Sequence, residues 1–159
     1  MFRRSLALIS VAAFVISALG VAAASPDTNI GTWKLNVAKS KFNPGPAPKS
    51  QTVKIEAWGT DGVTYTADGV DSTGAPTHAT FQAKYDEKFV KFTGNPDGDM
   101  IAYKRINAST VEATTQLAGK VIGTTKIVVS ADGKTRTLTQ TGKNAKGQTV
   151  ANVVVLEKQ

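Results

Sequence analysis

Hydrophobic and polar residues alternate along most of the chain after residue 30. The alternation is clearest in residues 77–85, where Ala79, Phe81, Ala83 and Tyr85 fall on one face and polar residues fall on the other. A repeat of two is typical of a β-strand with one buried and one solvated face. Beyond the first 24 residues, apolar positions do not recur at helical intervals of three and four. The pattern therefore predicts an all-β protein.

Ten segments rich in Val, Thr, Ile, Tyr and Phe are separated by turn residues. The predicted strands are residues 31–37, 52–58, 62–70, 77–85, 88–93, 100–106, 110–118, 120–130, 134–142 and 148–158. Tight turns need residues with positive φ, which we assign to the Asp-Gly pairs 61–62, 68–69, 97–98 and 132–133, and to Gly119 and Gly147. The pair at 68–69 has an alternative role as a β-bulge or an early strand end.

Short turns predict that neighbouring strands pair as hairpins. Ten antiparallel strands in one open sheet would expose unpaired edges, so the sheet must either close into a barrel or pack as a sandwich. We predict an up-and-down barrel of about eight to ten strands. The one long connection, residues 42–48, contains three alternating prolines that forbid a helix, and we expect it to cross one end of the barrel.

The first 24 residues have a different pattern. Arg3 and Arg4 precede an apolar run over residues 6–19, and three alanines at 22–24 come directly before Ser25. Three features together are typical of a signal peptide: a positively charged N-terminal region, an apolar run too short to span a bilayer, and a cleavage motif of small residues. We therefore expect cleavage before Ser25, a single domain over residues 25–159, and a periplasmic or secreted location. The general export route is favoured, and the twin-arginine route stays an alternative.

Composition narrows the classes of function. The chain has no cysteine, which excludes disulfides, thiolate metal sites and a lipid-modified cysteine. Removal of Arg3 and Arg4 lowers the formal net charge from +7 to +5, and the lysines are scattered rather than gathered into a stripe. We therefore predict no nucleic-acid partner, no membrane span after cleavage, and at most weak contact with an anionic envelope surface.

The predicted domain opens with Gly31-Thr32-Trp33-Lys34-Leu35 and closes with Val155-Leu156-Glu157-Lys158. These ends resemble the calycins, in which lipocalins open with Gly-x-Trp and fatty-acid-binding proteins share a Gly-Thr-Trp-Lys-Leu opening and a Tyr-Glu-Lys ending. With Lys-Ser-Lys-Phe at 39–42, the opening also resembles a group of exported bacterial proteins, which implies no activity. The calycin resemblance implies a barrel that is sealed at one end by Trp33 and holds a small apolar ligand.

Two departures from the calycin pattern limit what the resemblance implies. Fatty-acid-binding proteins have a helical pair as a lid between the first two strands, whereas this chain has the proline-rich residues 42–50. Alignment of the closing hairpins places the family's interior arginine on Val128 and its final Arg-x-Tyr carboxylate clamp on Val154 and Leu156. Because a buried carboxylate without a charged donor is costly to desolvate, a fatty acid held head-inwards by that clamp is disfavoured.

Candidate catalytic and metal-binding residues are few. His78 is the one histidine and falls on the polar face of its strand, so a histidine-rich metal site is excluded and only a role as a single general base stays open. Residues 95–99 resemble a calcium-binding turn but lack the later glutamate, which favours a turn held by Asx hydrogen bonds. The spacing of Glu56, Asp86, Glu87 and Glu112 in the sequence does not identify any two of their carboxylates as a catalytic pair. We therefore predict no enzyme activity, no cofactor and no metal.

The interior aromatic residues are the remaining candidates. Tyr65, Phe81, Phe92 and Tyr103 fall on inward-facing positions, where they either line a pocket or fill it. Arg136 shares a face with Leu138 and could meet a polar or anionic ligand group, although exposure on the outer face is the favoured interpretation for an arginine. We predict that Tyr65, Phe81, Phe92, Tyr103 and Arg136 bind a small hydrophobic molecule in a lipocalin-like carrier. The alternative is a solid-cored envelope module without an internal ligand.

Overall fold

Antiparallel pairing between consecutive segments builds the fold. The computed structural model describes residues 26–159, so the predicted signal peptide and Ser25 lie outside the described residues. The strands are β1 (Gly31–Leu35), β2 (Ser50–Ala57), β3 (Gly62–Val70), β4 (Pro76–Lys84), β5 (Val90–Lys91), β6 (Met100–Asn107), β7 (Thr110–Leu117), β8 (Lys120–Val129), β9 (Thr135–Lys143) and β10 (Thr149–Lys158). They form one sheet in the order β4-β3-β2-β1-β10-β9-β8-β7-β6-β5.

The two margins of this sheet meet, which makes a nearly closed barrel. The backbone groups of Thr80, in β4, and Thr93, just after β5, exchange two hydrogen bonds of 2.9 and 3.0 Å. Below them, Glu87 N–H donates to Tyr103 O at 2.9 Å and ties the end of β4 to β6. The all-β prediction and the up-and-down barrel are thus confirmed, with ten strands. In the described part of the chain, no helix is long and apolar enough to cross a membrane.

One end of the barrel is solid. The Trp33 side chain is completely buried there, and its indole Nε1 donates a hydrogen bond of 2.9 Å to Asn29 O. Apolar side chains from all round the barrel pack beside it with 2% exposure or less: Val53, Ile55, Val63, Val111, Val129 and Leu156. Lys158 covers the outer side of the indole, with Nζ 5.1 Å from the ring centroid. Trp33 therefore occupies the sealing position that the opening motif predicts.

The turns differ from the prediction at three of the four Asp-Gly pairs. Asp68 and Gly69 are not in a turn or at a bulge, but lie within β3 in regular register with both neighbours. A Cβ on Gly69 would lie 2.4 Å from Ser50 O, so this glycine permits close approach of β2 and β3. The positive φ values fall instead on the nearby Gly59, Gly74 and Gly94. The predictions for Gly119, Gly133 and Gly147 are confirmed, because all three have positive φ.

Gly94 is the glycine on which barrel closure depends most. Its φ is +78°, and a Cβ there would lie 1.9 Å from His78 O in the strand across the closing seam. We expect Gly94→Ala to lower the free energy of unfolding by at least about 2 kcal/mol, since strain of about 1–2 kcal/mol at positive φ adds to a backbone clash. Urea unfolding followed by circular dichroism measures this.

The matched control is Gly147→Ala. Gly147 has a φ of +76°, and a Cβ there would meet no atom within 4 Å. This variant isolates the backbone strain, so its loss of stability should be about 1 kcal/mol. Equal losses in the two variants would mean that Gly94 is not needed for close approach of the strands at the seam.

Candidate ligand cavity

The other end of the barrel contains a cavity of about 320 Å³. Its walls come from the inward-facing positions of β2 to β4 and β6 to β10. Half-buried or exposed residues surround the mouth, among them Phe42, Pro48, Asp71 and Pro96, whereas buried Ile127 and Val154 lie at the floor. The proline-rich segment therefore lies over the mouth, as predicted. The volume is at the lower end of the range of ligand pockets, about 300–1,000 Å³.

Four aromatic side chains form one cluster along a wall of this cavity. Phe81 stacks on Tyr65 with ring centroids 4.7 Å apart and an angle of 12° between the rings. Phe92 and Tyr103 both meet Phe81 edge-on, each at a centroid distance of 5.1 Å. The register places Tyr65 directly opposite Phe81 on paired strands, which explains the stack. Offset and edge-on aromatic contacts are favourable geometries, so the cluster is a rigid apolar surface.

Arg136 lies at the floor of the cavity and is 1% exposed. The favoured interpretation, exposure on the outer face, is therefore wrong. Its position in β9 explains why, because the inward face of that strand holds Arg136, Leu138 and Gln140 while the threonines face outward. Arg136 Nε donates a hydrogen bond of 3.4 Å to Asn29 Oδ1, and its Nη1 has no hydrogen-bond partner among the described residues.

Two phenol groups stay neutral near this guanidinium. Burial raises the pKa of Tyr65 and of Tyr103 above the usual value of a phenol, and the positive charge of Arg136 opposes part of each rise. Both hydroxyls therefore keep their protons at physiological pH and can donate as well as accept hydrogen bonds. The floor of the cavity thus combines one permanent positive charge with two neutral donors.

Polar side chains nearer the mouth are already paired with one another. Asn152 Nδ2 donates to Gln140 Oε1 at 3.0 Å, and Asn152 Oδ1 accepts from Asn43 N–H at 2.8 Å. The second of these bonds ties the proline-rich segment to β10, together with a 2.8 Å bond from Ala151 N–H to Asn43 O. No helical lid lies between β1 and β2, where the described chain has one turn of 3-10 helix at Val37–Lys39. Its absence matches the prediction.

The segment before β1 covers the closed end and is anchored by Asp27. The Asp27 carboxylate accepts hydrogen bonds from the Tyr85 hydroxyl and from Arg105 Nη2, the latter at 3.2 Å. The guanidinium of Arg105 also stacks on the Tyr85 ring, 3.8 Å from its centroid. Asn29 N–H donates to the same carboxylate at 3.0 Å, and Asn29 in turn contacts both Trp33 and Arg136. Through Asn29, this short segment therefore contacts the Arg136 side chain and helps to position it.

The other candidate groups lie on the surface. His78 Nδ1 is 2.7 Å from Asp68 Oδ1, in an exposed cross-strand pair. Glu56, Asp86 and Glu87 each pair with a lysine, and Glu112 is opposite Lys104 in the strand register. Within residues 26–159, no three acidic or histidine side chains lie close enough together to bind a metal ion.

The carboxylates of the predicted turn at 95–99 each have a structural role. Asp97 accepts a hydrogen bond from Ala145 N–H at 3.1 Å, and Asp99 accepts one from Ala118 N–H, also at 3.1 Å. Asn95 Oδ1 accepts from Asp97 N–H at 3.4 Å, within the turn itself. This connection between β5 and β6 is therefore held to the β7–β8 turn and to the β9–β10 turn through side-chain to backbone bonds.

The structure brings all five predicted ligand-binding residues to one cavity: Tyr65, Phe81, Phe92, Tyr103 and Arg136. Their role in binding stays a prediction. No signal in the sequence points to Asn29 and Asp27, because no local motif connects a loop before β1 with residues more than 50 positions away. Val128, on which the hairpin alignment places the family's interior arginine, faces outward between the buried Ile127 and Val129. Neither of these two inward positions is an arginine.

Comparisons with known proteins show the fold. No family model and no curated protein matches the chain. Among solved structures, the fluorescent protein UnaG is 19% identical with a TM-score of 0.56, over 82% of this chain and 96% of its own. Zebrafish ileal bile acid-binding protein, crystallised with cholic acid, is 14% identical with a TM-score of 0.50, over 83% of this chain and 98% of its own. The chain thus shares their calycin type of barrel.

Proposed function

We propose that this protein is an exported, non-enzymatic carrier that holds one small, largely apolar molecule inside its barrel. The observation that carries the proposal is the cavity of about 320 Å³ walled by the four-ring aromatic cluster and closed at its far end. Ligand sites are typically concave and mostly apolar, with a few polar groups that fix orientation. This cavity has that composition, with Arg136 as its one charged group at the floor.

Further support comes from the neighbour that was crystallised with cholic acid, since it has the same fold and a bound small molecule. Export is proposed from the arginines, the apolar run and the alanines at the start of the chain. The basic excess of the mature chain would allow weak adsorption to an anionic envelope surface. The solid-cored alternative describes only the Trp33 end of the barrel, because the opposite end contains the cavity.

Binding of a neutral environment-sensitive dye tests the proposal. We expect prodan to bind the delipidated protein with one saturable site, detected as a blue shift and an increase of its fluorescence. Substitution of Ala79 by phenylalanine should weaken this binding at least tenfold, because Ala79 lines the cavity and the added ring would occupy its volume.

The matched control is Ala151→Phe, which adds the same ring at an exposed position of β10. Its prodan affinity should equal that of the unchanged protein. Equal weakening by both substitutions, or no saturable binding of prodan to the unchanged protein, would contradict a ligand site inside the barrel.

A further inference from the structure

Arg136, at the floor of the cavity, has no counter-ion in the described part of the chain. The ion pairs among residues 26–159 are formed by other side chains, and the nearby Asp27 carboxylate is held by Tyr85 and Arg105. In this part of the chain the partners of Arg136 are neutral, namely the Asn29 side chain through Nε and the Tyr103 hydroxyl, while its buried Nη1 is without a partner. At 1% exposure, bulk water does not replace the missing partners.

The charge of Arg136 cannot be removed by deprotonation. A guanidinium stays protonated in proteins, unlike a buried lysine, so burial leaves a full positive charge at this position. An isolated buried charge is strongly unfavourable unless it is paired and hydrogen-bonded. The apolar walls around it come from the aromatic cluster and from Ile127 and Val154. A ligand that combines an anionic group with an apolar body would supply a partner for Arg136 and contacts for the apolar walls.

We propose that the ligand is an apolar molecule with a single carboxylate, which it places against Arg136 while its body lies along the aromatic cluster. This inference rests on the proposed function and specifies its ligand class. The planar guanidinium matches a carboxylate in shape and hydrogen-bonding geometry, and the neutral Tyr65 and Tyr103 hydroxyls face the same region. A free inorganic anion would leave the aromatic wall without contacts, which is why an amphiphilic acid fits better.

The proposed position of the ligand carboxylate, at Arg136, differs from the position of the carboxylate clamp that the calycin resemblance implies. The clamp positions fall on Val154 and Leu156 in β10, whereas Arg136 lies on the neighbouring strand β9. A head-inward acid is disfavoured at the clamp positions because they carry no charged donor. Arg136 supplies a positive charge from the neighbouring strand, so an acid can be held head-inwards in this different way.

Competition with prodan by two ligands of equal length tests the proposal. We expect dodecanoic acid to displace the dye from the unchanged protein at a concentration at least tenfold lower than dodecanol, a difference of about 1.4 kcal/mol. In Arg136→Met the preference for the acid should disappear, while dodecanol should compete as well as before. Lys126→Met removes a charge from the exposed face of the neighbouring strand β8 and should keep the preference.

The outcomes separate this inference from the proposed function. Equal competition by acid and alcohol in the unchanged protein, with prodan bound, would overturn the carboxylate inference and leave the carrier proposal standing. No prodan binding at all would contradict the carrier proposal itself. Circular dichroism checks that Arg136→Met folds, and we expect a higher melting temperature without ligand because an uncompensated buried charge has been removed.

A measurement on the unchanged protein covers the case in which Arg136→Met does not fold. Carbon NMR of carboxyl-labelled dodecanoic acid follows the titration of the bound head group. A neighbouring guanidinium favours the charged form, so the pKa of the bound acid should lie below that of the free acid at low concentration. A bound pKa equal to or above the free value would place the head group away from Arg136 and overturn the inference.

Discussion

Replacing Trp33 by alanine should lower the free energy of unfolding by about 4 kcal/mol, which is the largest effect that we expect of any single substitution. The indole is completely buried and fills the closed end of the barrel. Its removal leaves a cavity beneath residues from several strands, and the carbonyl of Asn29 loses its donor. Folded domains have about 5–15 kcal/mol of stability in total, so the variant should be close to unfolding at room temperature. Urea unfolding followed by circular dichroism measures the loss.

The second tryptophan provides a control of the same type. Trp58 directly follows β2 and is 39% exposed, so Trp58→Ala should change the free energy of unfolding by about 1 kcal/mol or less. A loss in Trp33→Ala as small as that in Trp58→Ala would mean that the closed end is not a tightly packed plug. The assignment of Trp33 as the seal of the barrel would then be wrong.

The second large effect concerns Asp27. Asp27→Ala should lower the free energy of unfolding by about 3 kcal/mol, because it leaves the half-buried Arg105 and the hydroxyl of the mostly buried Tyr85 without their main partner. The same substitution frees Asn29, which should weaken the binding of dodecanoic acid by displacing Arg136. Asp68→Ala, which removes an exposed carboxylate paired with His78, should change stability by about 0.5 kcal/mol or less.

The contribution of Asp27 depends on pH. Burial by itself would raise the pKa of this carboxyl, but hydrogen bonds from Tyr85, Asn29 N–H and Arg105 outweigh burial and lower the pKa below its usual value. A carboxyl with a lowered pKa in the folded state stabilises the protein at neutral pH, and this stabilisation is lost as the pH falls below about 4. Asp27→Asn should therefore show a smaller loss of stability on acidification than the unchanged protein.

Part of the acid sensitivity should remain in Asp27→Asn. Asp71, Asp132 and Glu157 also have lowered pKa values, each through side-chain hydrogen bonds at the surface. Unfolding curves at several pH values between neutral and about pH 3 separate the contributions. Parallel curves for the unchanged protein and Asp27→Asn would show that the pKa of Asp27 is not lowered by folding.

The strands could be predicted because burial of one face imposes a repeat of two. All ten predicted segments correspond to observed strands, with boundaries that agree within two residues. The turns were less predictable, because the sequence does not show which residue near an Asp-Gly pair takes the positive φ. At β3 and β4, for example, Asp71 binds the backbone N–H groups of Thr73, Gly74 and Ala75, which moves the turn beyond Asp68-Gly69.

The cavity could be predicted only in part. Alternation identifies which side chains point inward, and this was sufficient to group the four aromatic residues. It does not show whether the interior is filled, because that depends on the girth of the barrel and on small residues such as Ala67, Ala79 and Ala113 along the wall. The inward position of Arg136 conflicts with the usual exposure of arginine, and such local conflicts are expected where a protein binds a ligand.

Intermolecular nuclear Overhauser effects between bound prodan and the protein test the central claim most directly, because they locate an apolar ligand relative to named side chains. We predict contacts from the dye to the rings of Phe81 and Phe92 and to the methyl groups of Leu138, all of which line the cavity. Contacts confined to the exposed apolar residues Ile106 and Val121 would place the dye on the outer surface and contradict the account.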